Sequence, residues 1–207
     1  MRVVVQKPKI VSLPQPRLLS HASLAKCFLV GALMVTLLDD IFHVRGGVLH
    51  YPERNVLKTL LLFGSVGILA GAAVPRLDNL FSVRPEAARA TVVLREFALL
   101  TLMYALSAAI PGRYSKPFSL WLTSMAVARA YTNHQNSDPA VILHTVGFGI
   151  GGALGEHLIS STGHFYYRHR ALALPGLSGS GVPAWLPPFW ANASHFIVNF
   201  VRFLPKG

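Results

Sequence analysis

Residues 57–75 read LKTLLLFGSVGILAGAAVP, and residues 97–112 read FALLTLMYALSAAIPG. Neither stretch has a polar face. Wound as helices, residues 60–73 and 97–106 are apolar nearly all round, a pattern found where a helix is surrounded by protein or by lipid. Their lengths approach the ~20 residues needed to cross a bilayer as a helix. Four more apolar runs lie outward from this pair. Residues 24–38 are interrupted only by Lys26, and residues 118–128 form the shortest run. Residues 139–155 continue past Glu156 towards Phe165. Residues 171–201 hold no Asp, Glu, Lys or Arg. Within them 174–183, rich in Gly, Ser and Pro, read as a loop and 185–201 as a helix. Some runs are short for a span, which tilting or local thinning of the bilayer accommodates. The expectation is an all-α membrane protein, a single bundle of six transmembrane helices over residues 24–204.

Composition supports the same reading. Of 207 residues, 52% are apolar and 13% charged, and the mean hydropathy is +0.46. Soluble domains carry roughly 25% charged residues, so this chain has too few charges to coat a globule. The net charge is +11, but no Lys/Arg cluster with interleaved aromatic residues forms a nucleic-acid stripe. Anionic lipid headgroups are the simpler counterpart, and no nucleic-acid partner is expected. The single cysteine, Cys27, lies in an apolar run and excludes an intrachain disulfide or a Cys-rich metal site.

Residues 1–23 carry Arg2, Lys7, Lys9 and Arg17 with Pro8, Pro14 and Pro16 and no acid, and read as a basic, disordered tail. The following apolar run ends in Asp39 and Asp40, not in small residues, which argues against a cleaved signal peptide. Asp39 and Asp40 are expected to flank the helix at the interface. Six spans place twelve basic residues on the side of the termini and seven on the other. The positive-inside rule then puts both termini in the cytosol.

Polar side chains inside apolar runs carry the chemistry, because each costs free energy in lipid unless it is paired. Tyr104, Ser107, Asn133, His144, Asn192, His195 and Asn199 are such residues. They read either as interhelical hydrogen-bonding groups or as the polar contacts of a lipid hydroxyl bound between helices. Gly147, Gly149, Gly151, Gly152 and Gly155 line the fifth run. Pairs three or four apart, such as Gly147 with Gly151 and Gly151 with Gly155, let another helix approach closely. The sequon at Asn192 falls within the sixth span and is not expected to be glycosylated. Nothing offers an activated nucleophile. Glu156, His157, His164 and His169 are the candidates for a lipid-modifying metalloenzyme, but intervals of seven and five do not give paired ligands on one helical face. No metal and no cofactor are expected. A small transporter is the remaining alternative, though no inverted repeat is visible.

The chain resembles the Insig family of sterol-responsive membrane proteins, in pieces distributed along it. Phe28-x-Val30-Gly31 fits the family's first span, and Pro52 the proline before the second. Gly71-x-x-x-Pro75-x-Leu77-Asp78 matches the turn after the second, with Val74 and Arg76 replacing the family's Tyr and Cys. Residues 95–110 align without gaps to the third span and share Arg95, Ala98, Ser107 and Ala108. Residues 131–137 fall at the family's link after span four. Trp185-Leu186-Pro187 and Asn199-x-x-Arg202 reproduce the sixth span at the same spacing.

The resemblance implies a non-enzymatic regulator in the endoplasmic reticulum membrane, or a plasma membrane if bacterial, that binds a sterol or diacylglycerol among its helices. It also implies control of sterol-sensing-domain partners: Scap, which retains SREBP, and HMG-CoA reductase, which is marked for degradation. Departures bear on the partners. Asn133 stands where the family has an Asp needed for partner control, and Tyr104 and Ala105 replace an Asn and a His. Candidate lipid contacts are therefore Tyr104, Ser107 and Asn133. Candidates for packing a partner helix are Gly147, Gly151, Gly155 and Asn199.

Overall fold

The structure is a computed structural model, and it describes residues 18–53, 55–81, 85–110, 112–135, 140–170, 172 and 181–205. Six long helices follow one another: α1 His21–Leu38, α2 Val56–Leu80, α3 Ala90–Ala109, α4 Ser115–Gln135, α5 Ala140–Ser161 and α6 Leu186–Phe203. All six expected helices are present with shifted bounds: α1, α2, α3 and α4 begin earlier than their apolar runs, α3 ends at Ala109 and α5 at Ser161. Most of the basic tail, and residues 174–180 of the expected 174–183 loop, lie outside the described residues.

Local chemistry sets the helix starts. Ser20 caps α1, its side chain accepting from the Ser23 amide at 3.2 Å, so the helix opens at His21 and not at 24. Asn55 caps α2 in the same way, accepting from Lys58 N at 2.9 Å. Pro187 and Pro188 occupy the first turn of α6, where a missing N–H costs nothing. Asp39 and Asp40 do not end the first helix. The chain widens there into a π-helical continuation, Asp39–Val44, which carries Asp39 and His43 into the interior. Likewise the segment after span four is helical as far as Gln135.

Side-chain contacts show that successive helices alternate in direction. At one end Ser23 Oγ, in the first turn of α1, donates to the carbonyl of Pro205 just beyond α6, at 2.7 Å. At the other end, β1 Leu49–His50 pairs antiparallel with β2 Tyr166–Tyr167, in register Leu49 with Tyr167. Helix α6 is the axis of the bundle, and most of its side chains are buried, polar and apolar alike. That position explains a helix carrying two prolines, two asparagines and a histidine without charge until Arg202.

The outer surface is apolar. Leu29, Leu33, Leu37 and Ile41 form an exposed ridge with a spacing of four on the α1 side. Ile142, Val146, Ile150, Leu154 and Leu158 repeat it on α5. Water would penalise such ridges, whereas hydrocarbon accommodates them. Among the described residues, three helices are long and apolar enough by themselves to cross a membrane: His21–Val44, Val56–Leu80 and Ala90–Ala109. Helices α4 to α6 carry more polar residues, and His144, His157 and Asn192 among them are turned into the bundle. The chain is a multi-pass, all-α membrane protein.

Glycines set the closest helix contacts, at positions that the Gly147/Gly151/Gly155 pattern does not cover. A Cβ on Gly67 would lie 2.2 Å from the backbone oxygen of Cys27, and one on Gly31 2.6 Å from that of Phe63. These two residues bring α1 and α2 into backbone contact. Between α5 and α6 the close contact falls to Gly152, which abuts the Trp190 ring, and Gly149, which abuts Ala191. Gly147, Gly151 and Gly155 have open space beside them. They face out of the bundle and contribute no packing among the described residues.

Candidate functional site

Two cavities and three buried polar clusters hold the features from which a site could be built. The first cavity lies between α1, α2, α3 and α6 and encloses about 80 Å³. Its wall is almost wholly apolar, with Val30, Met34, Phe63, Leu100, Phe196 and Ile197 among its residues. Tyr104 supplies the one hydroxyl-bearing side chain of that lining among the described residues. The ring of Tyr104 is held by Phe189, edge-on at 5.0 Å, and by His43 at 4.8 Å. A narrow apolar slot with one hydroxyl-bearing side chain among the described residues matches a hydrophobic ligand bearing a single hydroxyl.

Ser107, one turn further along α3, does not line this cavity. It is 2% exposed, and its hydroxyl donates to the Tyr104 carbonyl at 3.0 Å. His43 Nε2 lies 2.8 Å from Ser107 Oγ, and Asp39 lies 3.3 Å from His43 Nδ1. Carboxylate, imidazole and hydroxyl thus stand in line, but the hydroxyl proton is committed to the backbone and the group is sealed from both cavities. The trio ties the end of the first helix to α3.

The second cavity lies at the other end of the bundle, where α3, α4, α5 and α6 converge, and encloses about 220 Å³. Its wall is polar: Arg95, Glu96, Asn133, His144, His195 and Arg202 all contribute. Asn133 is here, 3.0 Å from His195 Nδ1, and not beside Tyr104. Asn199 also lines it, donating to the carbonyl of His195 at 2.7 Å on its own helix. The structure therefore separates the three sequence-predicted lipid contacts into the apolar cavity, a buried relay and the polar cavity.

Behind the polar cavity lie two ion-pair hubs. Asp78, at the end of α2, takes Arg202 of α6 through both oxygens, at 2.6 and 3.1 Å, and His144 Nε2 of α5 at 2.9 Å. Asp78 and Arg202 stand in two separate pieces of the sequence resemblance, and the fold joins them as a buried pair. Glu96 of α3 takes Arg129 of α4, and Arg95 at 2.8 Å. Arg129 also reaches the Asn192 side chain at 3.2 Å. These hubs escaped the sequence reading. The one available signal was Glu96, a carboxylate at the head of an apolar run that had to find a cation.

Glu156, His157, His164 and His169 do not converge as a single cluster. Glu156 accepts from Trp190 Nε1 at 2.6 Å and from the Tyr167 hydroxyl. Burial, reinforced by the Glu156 carboxylate, pushes the Tyr167 phenol well above its ordinary pKa and keeps it a donor. His164 lies 3.2 Å from Thr59 Oγ1. Burial, with Lys58 nearby, holds its pKa below the usual imidazole range. The ring of His169 lies against Gly112. Among the described residues, no group of three or more His, Cys, Asp and Glu side chains is placed to hold a metal ion.

No family model matches the chain, and no curated protein matches it. Solved structures do. A mycobacterial Insig homolog, MvINS from Mycobacterium vanbaalenii, superposes with a TM-score of 0.63 at 21% identity, over 90% of this chain and 95% of that one. MvINS in a cross-linked trimeric form gives a TM-score of 0.66 at 21% identity, over 89% and 94%. The chain has the fold of an Insig homolog along nearly its whole length.

Proposed function

We propose that this protein is an Insig-like, non-enzymatic lipid sensor that binds a sterol or a diacylglycerol in the apolar cavity and regulates membrane partners. The observation that carries this reading is the cavity itself: an apolar slot between α1, α2, α3 and α6 with Tyr104 as its hydroxyl. Fold likeness to an Insig homolog supports it. Three of the helices that bound it, α1, α2 and α3, are each long and apolar enough to cross a bilayer, so a lipid ligand reaches it from the bilayer. Binding there shifts a docking equilibrium only as far as the lipid prefers the docked state.

In this reading all six helices span the membrane with both termini cytosolic. The membrane is that of the endoplasmic reticulum in a eukaryote and the plasma membrane in a bacterium. The partners are sterol-sensing-domain proteins of the Scap and HMG-CoA reductase type. Asn133 in place of the family's Asp, engaged with His195, makes lipid binding the better retained half of the function. The open face of α5 at Gly147, Gly151 and Gly155 offers a smooth strip for another helix. MvINS has been captured as a cross-linked trimer, and a second copy of this chain is one occupant of that strip.

The test is photo-crosslinking in nanodiscs with an alkyne-bearing sterol probe and a diacylglycerol probe, each competed by its unlabelled lipid. Saturable labelling is expected from at least one, mapped to α1, α2, α3 or α6. It should be lost when Ala70→Trp fills the slot. Absence of saturable labelling by both probes would end the sensor reading.

A further inference from the structure

The apolar slot leaves the larger, polar cavity without a task. We propose that this second cavity is a binding site for a phosphate group, either a free phosphate or the phosphomonoester of a lipid headgroup. Its balance of charge and of hydrogen-bonding groups makes the case.

Among the described residues, three guanidinium groups, Arg95, Arg129 and Arg202, stand around the cavity and just behind it, against two carboxylates, Glu96 and Asp78. Both carboxylates are already committed, Glu96 to Arg95 and Arg129, and Asp78 to Arg202 and His144. Among the described residues one positive charge is left over, and an anion is its natural counterpart. Arg95, with a side chain 67% exposed, stands at the mouth.

Two ring nitrogens in the wall are buried without a hydrogen-bond partner: His195 Nε2 and His144 Nδ1. Their residues are 4% and 1% exposed. The amide nitrogen of Asn133 faces His195 Nδ1, so that nitrogen accepts and the ring proton sits on Nε2 as an unused donor. His144 donates from Nε2 to Asp78, which leaves Nδ1 an unused acceptor in the neutral ring. The wall therefore lacks one acceptor facing His195 and one donor facing His144, while Arg95 spends two of its nitrogens on Glu96 and keeps the third at the mouth. A singly protonated phosphate supplies both, having several acceptor oxygens and one hydroxyl. A cavity of about 220 Å³ accommodates it with several waters, each taking ≈ 30 Å³ of liquid volume. The site lies at the bundle end, at the depth where helix termini meet headgroups, so either source of the phosphate can enter.

This assignment is independent of what occupies the apolar slot. It is tested by calorimetric titration of the purified protein in neutral detergent with inorganic phosphate. A second arm measures retention of fluorescent phosphatidic acid in nanodiscs otherwise made of phosphatidylcholine. Saturable binding is expected in at least one arm, resisting equimolar chloride. Inorganic phosphate alone would identify a soluble anion, and phosphatidic acid alone a lipid headgroup. Arg95→Gln and His195→Gln should each weaken binding by about tenfold, and Arg95→Lys should restore part of it. Arg76→Gln removes an equally positive residue whose guanidinium bonds the Ala72 carbonyl on its own helix and should change nothing. Thermal unfolding of each variant confirms that it is folded. No saturable binding in either arm overturns the assignment. Equal weakening by Arg76→Gln also overturns it, because general attraction to a chain of charge +11 would then account for the result.

Discussion

At the residue scale, the buried charges set the stakes. Asp78 meets Arg202 and His144 in the interior, so its loss strands a cation there. Removing one partner of a buried pair is worth roughly 3–5 kcal/mol, whereas replacing both by apolar side chains of similar volume is often neutral. Asp78→Leu should therefore unfold at a markedly lower temperature in detergent, and Asp78→Leu with Arg202→Met should recover most of that loss. His164 gives a pH dependence. Its folded-state pKa lies below that of the unfolded chain, because burial, then Lys58, disfavours the charged ring. The unfolded state thus takes up the proton first, and stability falls as pH drops below the ordinary imidazole value of about 6.5. Thermal melts at pH 7.5 and 5.5 should differ less for His164→Asn than for the unaltered protein. Of these residues the sequence marked only His144 as a polar group needing a partner. The pairings were not legible, since Asp78 and Arg202 are 124 positions apart.

At the element scale, two sets of glycines behave oppositely. A side chain on Gly67 would strike the backbone of Cys27, and backbone cannot step aside. Gly67→Val should separate α1 from α2, lower the melting temperature and deform the apolar slot, read as lost lipid-probe labelling. Gly151 has open space beside it. Gly151→Ala should leave the isolated subunit intact or stabilise it by about 0.5–1 kcal/mol through helix propensity. If a second copy seats on that face, Gly151→Leu should shift the protein towards smaller species in cross-linking and mass measurements. Glycine spacing in α5 announced a close approach but did not say which glycines make it. Pairs at three or four residues recur around that helix, and the phase of the helix against α6 decides which of them point inward.

At the scale of the whole molecule, both ends of the described chain lie together, as Ser23 bonding to Pro205 shows. The six crossings proposed above would place the segments before α1 and after α6 on one side of a membrane and the start of α4 on the other. With Cys27 replaced by Ala, a cysteine at Lys206 and one at Lys116 should react with an impermeant thiol reagent from opposite faces of sealed vesicles. Labelling from the same face would overturn the six-span topology. The order of six helices and the membrane environment followed from the sequence alone, because bulk hydrophobicity is local and lipid demands it continuously along each helix. The location of the cavities, the division of Tyr104, Ser107 and Asn133 among three environments, and the pairing of Asp78 with Arg202 were decided only by the tertiary structure. Each depends on the rotation of one helix against another, and helices apolar nearly all round carry little in their own sequence to fix that rotation.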